Sequence, residues 1–220
     1  MPASIAEPAD SRAALLVIDV QPDFMPGGRL PVADGAAVVP LINRLGARFV
    51  NVVLTQDWHP ADHVSFASQH AGRQPFDSIE LHYGAQTLWP DHCVQGSDGA
   101  ALHAGLQLPQ AQLIIRKGCN RGVDSYSAFL EADRRTATGL AGYLRERGID
   151  TVYLAGLALD FCVAWSALDA RAAGFAAVVI EDACRAIDLD GSLAQAWCDL
   201  RAAGVERRSS QALLGLRFPS

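Results

Sequence analysis

Five short apolar runs, at 13–20, 49–55, 113–116, 151–155 and 176–180, constrain this chain more than any other feature. Each is rich in Val, Ile or Leu and nearly continuous, where a strand with one wet face would alternate. Continuous apolar strands are buried on both faces, as in a parallel sheet covered by helices on each side. Helix-like stretches fall between the runs, at 35–48, 138–147, 160–173 and 192–203. The last three end at Gly148, Gly174 and Gly204, a residue type suited to the left-handed turn that stops a helix. A sixth, weaker strand is expected at 205–208. Strand and helix in alternation predict an α/β fold with a mainly parallel sheet of about six strands.

A length of 220 residues suits one domain spanning 1–220, and an apolar share of 50% is enough for a large core. The formal charge of −6 keeps the chain soluble and argues against nucleic acid as a partner. No basic stripe occurs, and Arg207 with Arg208 is the densest basic pair. Cys93, Cys119, Cys162, Cys184 and Cys198 are odd in number, irregularly spaced and without a CxxC pair, so neither a disulfide framework nor a zinc ribbon fits. The stretch 1–12 is polar and acidic, unlike a signal peptide, and is expected to be flexible. No apolar run approaches the ~20 residues of a membrane helix. A reduced, cytoplasmic protein with no membrane partner is the expectation.

Residues 57–110 break the rhythm. They are rich in His, Trp, Pro, Asp and Gly and show little periodicity. Structureless segments of that length are rare inside a compact domain and are usually functional.

In open parallel sheets, ligands bind beyond the carboxyl ends of the strands. The residues just after each run are therefore informative. Run one ends in Asp19, run two leads to Asp57 and His59, run three is followed by Lys117, and run four by a turn and then Cys162. An acid, two metal-type donors, a lysine and a thiol thus emerge on one rim. A thiol attacks as thiolate, and both a lysine cation and a helix N-terminus lower its pKa from about 8.5. The turn Gly156-Leu157-Ala158-Leu159-Asp160-Phe161-Cys162 puts Cys162 in the first turn of a helix, near backbone N–H groups able to hold an oxyanion. Asp19 can shuttle protons from its strand end. Asp57 and His59, two residues apart on an extended chain, share a face. A catalytic metal needs a third donor, and the long segment offers His63, His70, His82 and His92. Asp with His suits zinc, iron or manganese alike.

Several stretches resemble the nicotinamidase branch of the isochorismatase-like cysteine hydrolases. They are Asp19-Val20-Gln21-Pro22-Asp23-Phe24 with Pro26-Gly27-Gly28, Gln56-Asp57-Trp58-His59-Pro60, and Trp89-Pro90-Asp91-His92-Cys93-Val94-Gln95-Gly96. Lys117-Gly118 with Asp124-Ser125-Tyr126-Ser127-Ala128-Phe129, and Gly156-Leu157-Ala158-Leu159-Asp160-Phe161-Cys162-Val163, complete the set. The matches run in order from about residue 13 to residue 185.

The resemblance implies a three-layer α/β/α sandwich of Rossmann-type topology. It implies a triad of Asp19, Lys117 and Cys162, and one divalent transition metal ion on Asp57, His59 and His92, with 57–110 as the metal-site segment. His63, and more weakly Ser65, match positions that approach the metal in some relatives. Phe24 and Trp89 match residues that sandwich a pyridine ring, and Leu157 is carried over as a third substrate-binding residue. Ala158 and Cys162 match the backbone donors of an oxyanion hole, entered through a cis bond at Leu157–Ala158. The implied activity is hydrolysis of nicotinamide, and of pyrazinamide, through a cysteine thioester in NAD salvage. Nicotinamide is then the small-molecule partner, and a homo-oligomer is left open. The alternatives are an amidase of the same superfamily acting on ureidoacrylate or a carbamoyl amine, and a non-catalytic binder on this scaffold. His70, His82 and His103 are expected to be structural or solvated, and Cys93, Cys119, Cys184 and Cys198 structural.

Overall fold

The structure, a computed structural model, describes residues 5–215. Along the chain they form β1 (Ala13–Ile18), α1 (Val38–Gly46), β2 (Asn51–Asp57), β3 (Ser78–Leu81), β4 (Gly84–Thr87), β5 (Leu113–Lys117), α2 (Leu140–Glu146), β6 (Thr151–Leu157), α3 (Ala164–Ala172), β7 (Ala176–Arg185), α4 (Ser192–Ala202), β8 (Glu206–Arg208) and α5 (Ser210–Leu214). Six strands make one sheet in the order β5-β2-β1-β6-β7-β8, and every pairing in it is parallel. The chain grows outward from β1 through β2 to β5. It then returns to the other side of β1 as β6 and grows outward again through β7 to β8. This is the doubly wound order, and the reversal beside β1 opens the crevice where such folds hold ligands.

All residues of β1, β2 and β6 are buried, the polar end of β2 at Thr55, Gln56 and Asp57 included. Alternate side chains of β1 enter two separate cores. Ala13, Leu15 and Val17 pack with Val38, Ile42 and Leu45 of α1 and Leu213 of α5. Ala14, Leu16 and Ile18 pack with Leu140 and Leu144 of α2, Ala164, Ala167 and Ala170 of α3, and Leu200 of α4. The fold is therefore the expected three-layer α/β/α sandwich. Each fully buried Leu or Ile contributes on the order of 1.5–3 kcal/mol relative to exposure.

The structure departs from the sequence reading in five places. The segment 57–110 is not structureless: β3 and β4 pair as an antiparallel hairpin. Their four-residue length and the His82-Tyr83 turn, which lacks an Asn-Gly or Asp-Gly signal, leave no pattern to read. Strand β7 runs to Arg185, past polar Glu181 and Asp182, and rejoins β6 at Gly156 after a register shift. The expected helix over 160–173 opens as a π turn, Leu159–Val163, before α3. Helix α5 has no counterpart in the sequence reading; it is a five-residue element, too short for a periodic signal. The stretch 1–12 is anchored rather than flexible where it is described: Ala6 is buried, its N–H donates to Thr151 Oγ1 at 3.0 Å, and its carbonyl accepts from Tyr153 Oη at 3.0 Å. Residues 1–4 lie outside the described residues. Among the described residues, no helix is long and apolar enough to cross a membrane.

Candidate active site

The reactive side chains sit where the central strands stop. Asp19 follows β1 in a left-handed conformation, φ 47°. Asp57 is the last residue of β2, and Lys117 the last of β5, opposite it in register. Cys162 sits in the π turn that follows β6. The junction of β1 and β6 depends on Gly156, φ 126°, whose missing Cβ would lie 2.1 Å from the Ile18 carbonyl oxygen. No side chain fits there, so only glycine lets β6 turn close against the end of β1. The next peptide bond, Leu157–Ala158, is cis, as the resemblance implies.

Lys117 is the hub. Its Nζ lies 2.9 Å from Asp19 Oδ2 and 2.8 Å from Asp57 Oδ1, donates to the Ser125 carbonyl at 3.0 Å, and reaches Cys162 Sγ at 3.4 Å. Burial opposes a charge there, but the Asp19 and Asp57 carboxylates outweigh it and hold Lys117 well above its ordinary range. The two aspartates diverge. Burial pushes Asp19 up, and the Lys117 charge only partly offsets it. Burial also acts on Asp57, but the charges of His59 and Lys117 hold it well below the usual carboxylate range. Pairs of like groups driven apart in this way divide the roles of ionised anchor and proton carrier. Asp19 Oδ1 accepts from Thr55 Oγ1 at 2.5 Å, while Oδ2 faces the Lys117 ammonium at 2.9 Å.

The sequence reading expects the lysine and the helix start to lower the Cys162 pKa. The lysine does act in that direction, but burial acts against it. Burial raises the thiol well above its ordinary value, and Lys117 opposes the shift without cancelling it. Burial thus favours the thiol and Lys117 the thiolate, with the Asp19 carboxylate on the same ammonium as the nearby group able to take the proton.

Asp57, His59 and His92 present ligand atoms within 4.8 Å of one another, and all three are buried. Both imidazoles turn Nε2 toward Asp57 Oδ2, at 2.9 and 3.3 Å. Their Nδ1 atoms donate to backbone carbonyls, His59 to Gly118 at 3.1 Å and His92 to Pro90 at 2.8 Å. A ring with its proton on Nδ1 carries a lone pair on Nε2. The neutral form of either ring can turn that lone pair to a cation, the protonated form donates from Nε2 to Asp57 instead, and Nδ1–carbonyl bonds are the usual outer support of histidine ligands. The donor set therefore fits a divalent transition metal.

A narrow cleft joins the two groups. Phe24, Trp89, Asp57, His59, His92, Ala158 and Cys162 line it, together with Asp124, Tyr126 and Phe161. The expected Leu157 does not line it. That side chain is fully buried, with Cδ1 against Gly35, because strand alternation at the end of β6 turns it into the core. His63 and Ser65 adjoin His59: the two rings are 4.2 Å apart, His63 Nδ1 is 2.7 Å from Ser65 Oγ, and His59, His63 and Asp124 also bring ligand-type atoms within 4.8 Å of one another. Burial depresses the His63 pKa to about 4. His70 meets the Val64 carbonyl and His103 the Gly105 N–H, away from the metal-type donors. The other four thiols are free; Cys93 and Cys184 are buried, whereas Cys119 and Cys198 are exposed rather than packed. Asp124 and Tyr126 stand in a recognised motif to which the sequence reading gives no role, and their position just after β5 is the signal that could mark them. Gln86 carries no signal in the sequence.

The isochorismatase domain matches residues 13–212. A nicotinamidase of Acinetobacter baylyi is 61% identical, over 93% of this chain and 95% of its own length. Among solved structures, an Acinetobacter baumanii nicotinamidase pyrazinamidease has TM-score 0.92 and 59% identity, covering 93% of this chain and 99% of that one. PnC1 from L. infantum, in complex with nicotinate, has TM-score 0.82 and 40% identity over 95% and 98% of the two chains. A Pyrococcus horikoshii pyrazinamidase in complex with zinc has TM-score 0.74 and 33% identity over 90% and 99%. With a domain match over nearly its whole length and relatives this similar from end to end, the chain belongs to the isochorismatase family.

Proposed function

We propose that this chain hydrolyses nicotinamide to nicotinic acid and ammonia, and accepts pyrazinamide in the same way, with Asp19, Lys117 and Cys162 as the reacting set. The observation that carries the reading is Lys117 Nζ, which touches Asp19, Asp57 and the Cys162 sulfur at the base of a cleft lined by aromatic rings and metal-type donors. The names of the relatives support the same substrate.

Asp57, His59 and His92 would hold a divalent transition metal; the zinc in the Pyrococcus relative is consistent with that ion among zinc, iron and manganese. When bound, the metal supplies a Lewis-acid anchor for the ring nitrogen. Phe24 and Trp89 confine the ring, and His63 and Ser65 adjoin His59. Cys162 passes its proton to Asp19 as its sulfur bonds to the carboxamide carbon, with Lys117 favouring the anion that develops. Backbone N–H groups of Ala158 and Cys162 receive the oxyanion. Asp19 gives the proton to the amide nitrogen, the C–N bond breaks, and ammonia leaves a thioester on Cys162. Asp19 then takes a proton from water as the water oxygen bonds to the thioester carbon, and returns it to the sulfur as the C–S bond breaks, so nicotinic acid leaves and the thiol and the Asp19 carboxylate are both restored.

The test is an ammonia assay of purified protein with nicotinamide. Equimolar ammonia and nicotinic acid are expected, lost on chelation and restored by an added divalent ion. Turnover of ureidoacrylate or a carbamoyl amine in place of nicotinamide would move the protein to a sister activity, and ammonia release indifferent to thorough metal removal would overturn the ligand assignment.

A further inference from the structure

We infer that Gln86, outside the cleft on β4, is a positioning residue that sets the aromatic and acidic wall on which the substrate ring rests. The inference deepens the proposed function and rests on it.

Gln86 is buried, with 2% of its surface exposed, on a strand whose neighbours are half-buried or exposed. Its amide nitrogen shares its two hydrogens among the Thr87 carbonyl at 2.6 Å, Asp124 Oδ2 at 2.7 Å and Tyr126 Oη at 3.2 Å. Its amide oxygen accepts from Tyr83 Oη at 2.9 Å. Tyr83 Oη in turn accepts from the Asp124 N–H at 3.3 Å. The ring of contacts fixes which way the amide faces, because an ionised carboxylate can only accept and the Tyr83 hydroxyl has its proton for the oxygen.

Two of the groups Gln86 touches line the cleft, Asp124 and Tyr126, and a third lining residue is one bond further on. Trp89 Nε1 donates to the same Tyr126 Oη, at 3.0 Å. The Trp89 backbone is held separately, its N–H by the Ser65 carbonyl and its carbonyl by the Ala67 N–H. Gln86 therefore does not decide whether Trp89 is present in the wall. It acts on how the indole and the Tyr126 ring are turned, and on where the Asp124 carboxylate points. A two-stranded hairpin is marginal alone. Here its most buried polar side chain serves the substrate wall, which gives the hairpin a part in binding and none in bond breaking.

Loss of these bonds should weaken ring binding and leave the thiol chemistry alone. Gln86→Met keeps the volume and removes every polar contact, so KM for nicotinamide should rise about tenfold while kcat changes less than about threefold, the pattern of lost binding that is uniform through the reaction. The dissociation constant of nicotinic acid, followed by tryptophan fluorescence, should rise in parallel. Tyr83→Phe removes one hydroxyl outside the cleft and keeps the test open should Gln86→Met fail to fold; it should raise KM in the same direction, by less. In the double variant the two effects should be less than additive, since both act through one amide. Wild-type KM in both single variants, equal losses in kcat and KM terms, or full additivity would each overturn the inference with the proposed function intact. Failure of the wild-type protein to release ammonia from nicotinamide would remove the reading on which it stands.

Discussion

Asp19 and Asp57 are the same residue type, share one lysine, and are pushed in opposite directions. The difference lies in what else each carboxylate meets. Asp57 faces two imidazoles as well as Lys117, so its charge is held on all sides. Asp19 has Lys117 and the Thr55 hydroxyl, and full burial prevails. This is why Asp19, and not Asp57, is the residue to carry a proton in the proposed reaction. Asp19→Asn keeps the shape and the Thr55 contact but cannot take the thiol proton. It should lower kcat by about 10²–10⁴-fold, the usual range for a positioned base, with the nicotinic acid dissociation constant nearly unchanged; a steady-state assay with a parallel binding titration checks both. The identities of these residues are legible from their places at strand ends. The push of burial on the thiol is not, because it depends on packing that no local pattern encodes.

Elements place the metal-type donors through backbone as much as through side chains. Gly118, directly after β5, holds a left-handed φ of 65°, and a Cβ there would lie 2.4 Å from His59 Cε1. Its carbonyl also accepts from His59 Nδ1. One residue thus sets both the room and the orientation of that ring. Gly118→Ala should displace His59 and cost roughly tenfold or more in metal affinity, in line with other losses of outer support at metal sites. Competition with a chelator of known affinity measures it, and wild-type retention of metal would show that the ring tolerates the change. At this scale the sequence is partly legible. Buried strands announce themselves as apolar runs, and helices by the glycines that end them. The hairpin of β3 and β4 does not, since four residues of mixed character give no usable alternation, and Gln86 is hidden with it. Leu157 is misplaced by sequence for a related reason: a motif match names a neighbourhood, whereas alternation along β6 decides which side chain enters the cleft and which enters the core.

For the whole molecule, the order of strands is what makes the site. Because the chain reverses beside β1, the ends of β1 and β6 flank a crevice, and β2 and β5 bring Asp57 and Lys117 to the same edge. Asp19 and Cys162, far apart in sequence, therefore both come within reach of Lys117. The alternation of strand and helix is enough to predict a parallel sheet, and the rule that ligands sit beyond its carboxyl end is enough to predict a shared rim. Register is not legible, and neither are the distances. The proposed reaction stands on the sulfur that this topology delivers to the base of the cleft. Its most direct test is ammonia release by Cys162→Ala with nicotinamide, beside a nicotinic acid binding titration of the same sample. The prediction is no release above the uncatalysed background, with binding within a few-fold of wild type. Release within about tenfold of the wild-type rate would contradict the assignment of Cys162 as the nucleophile.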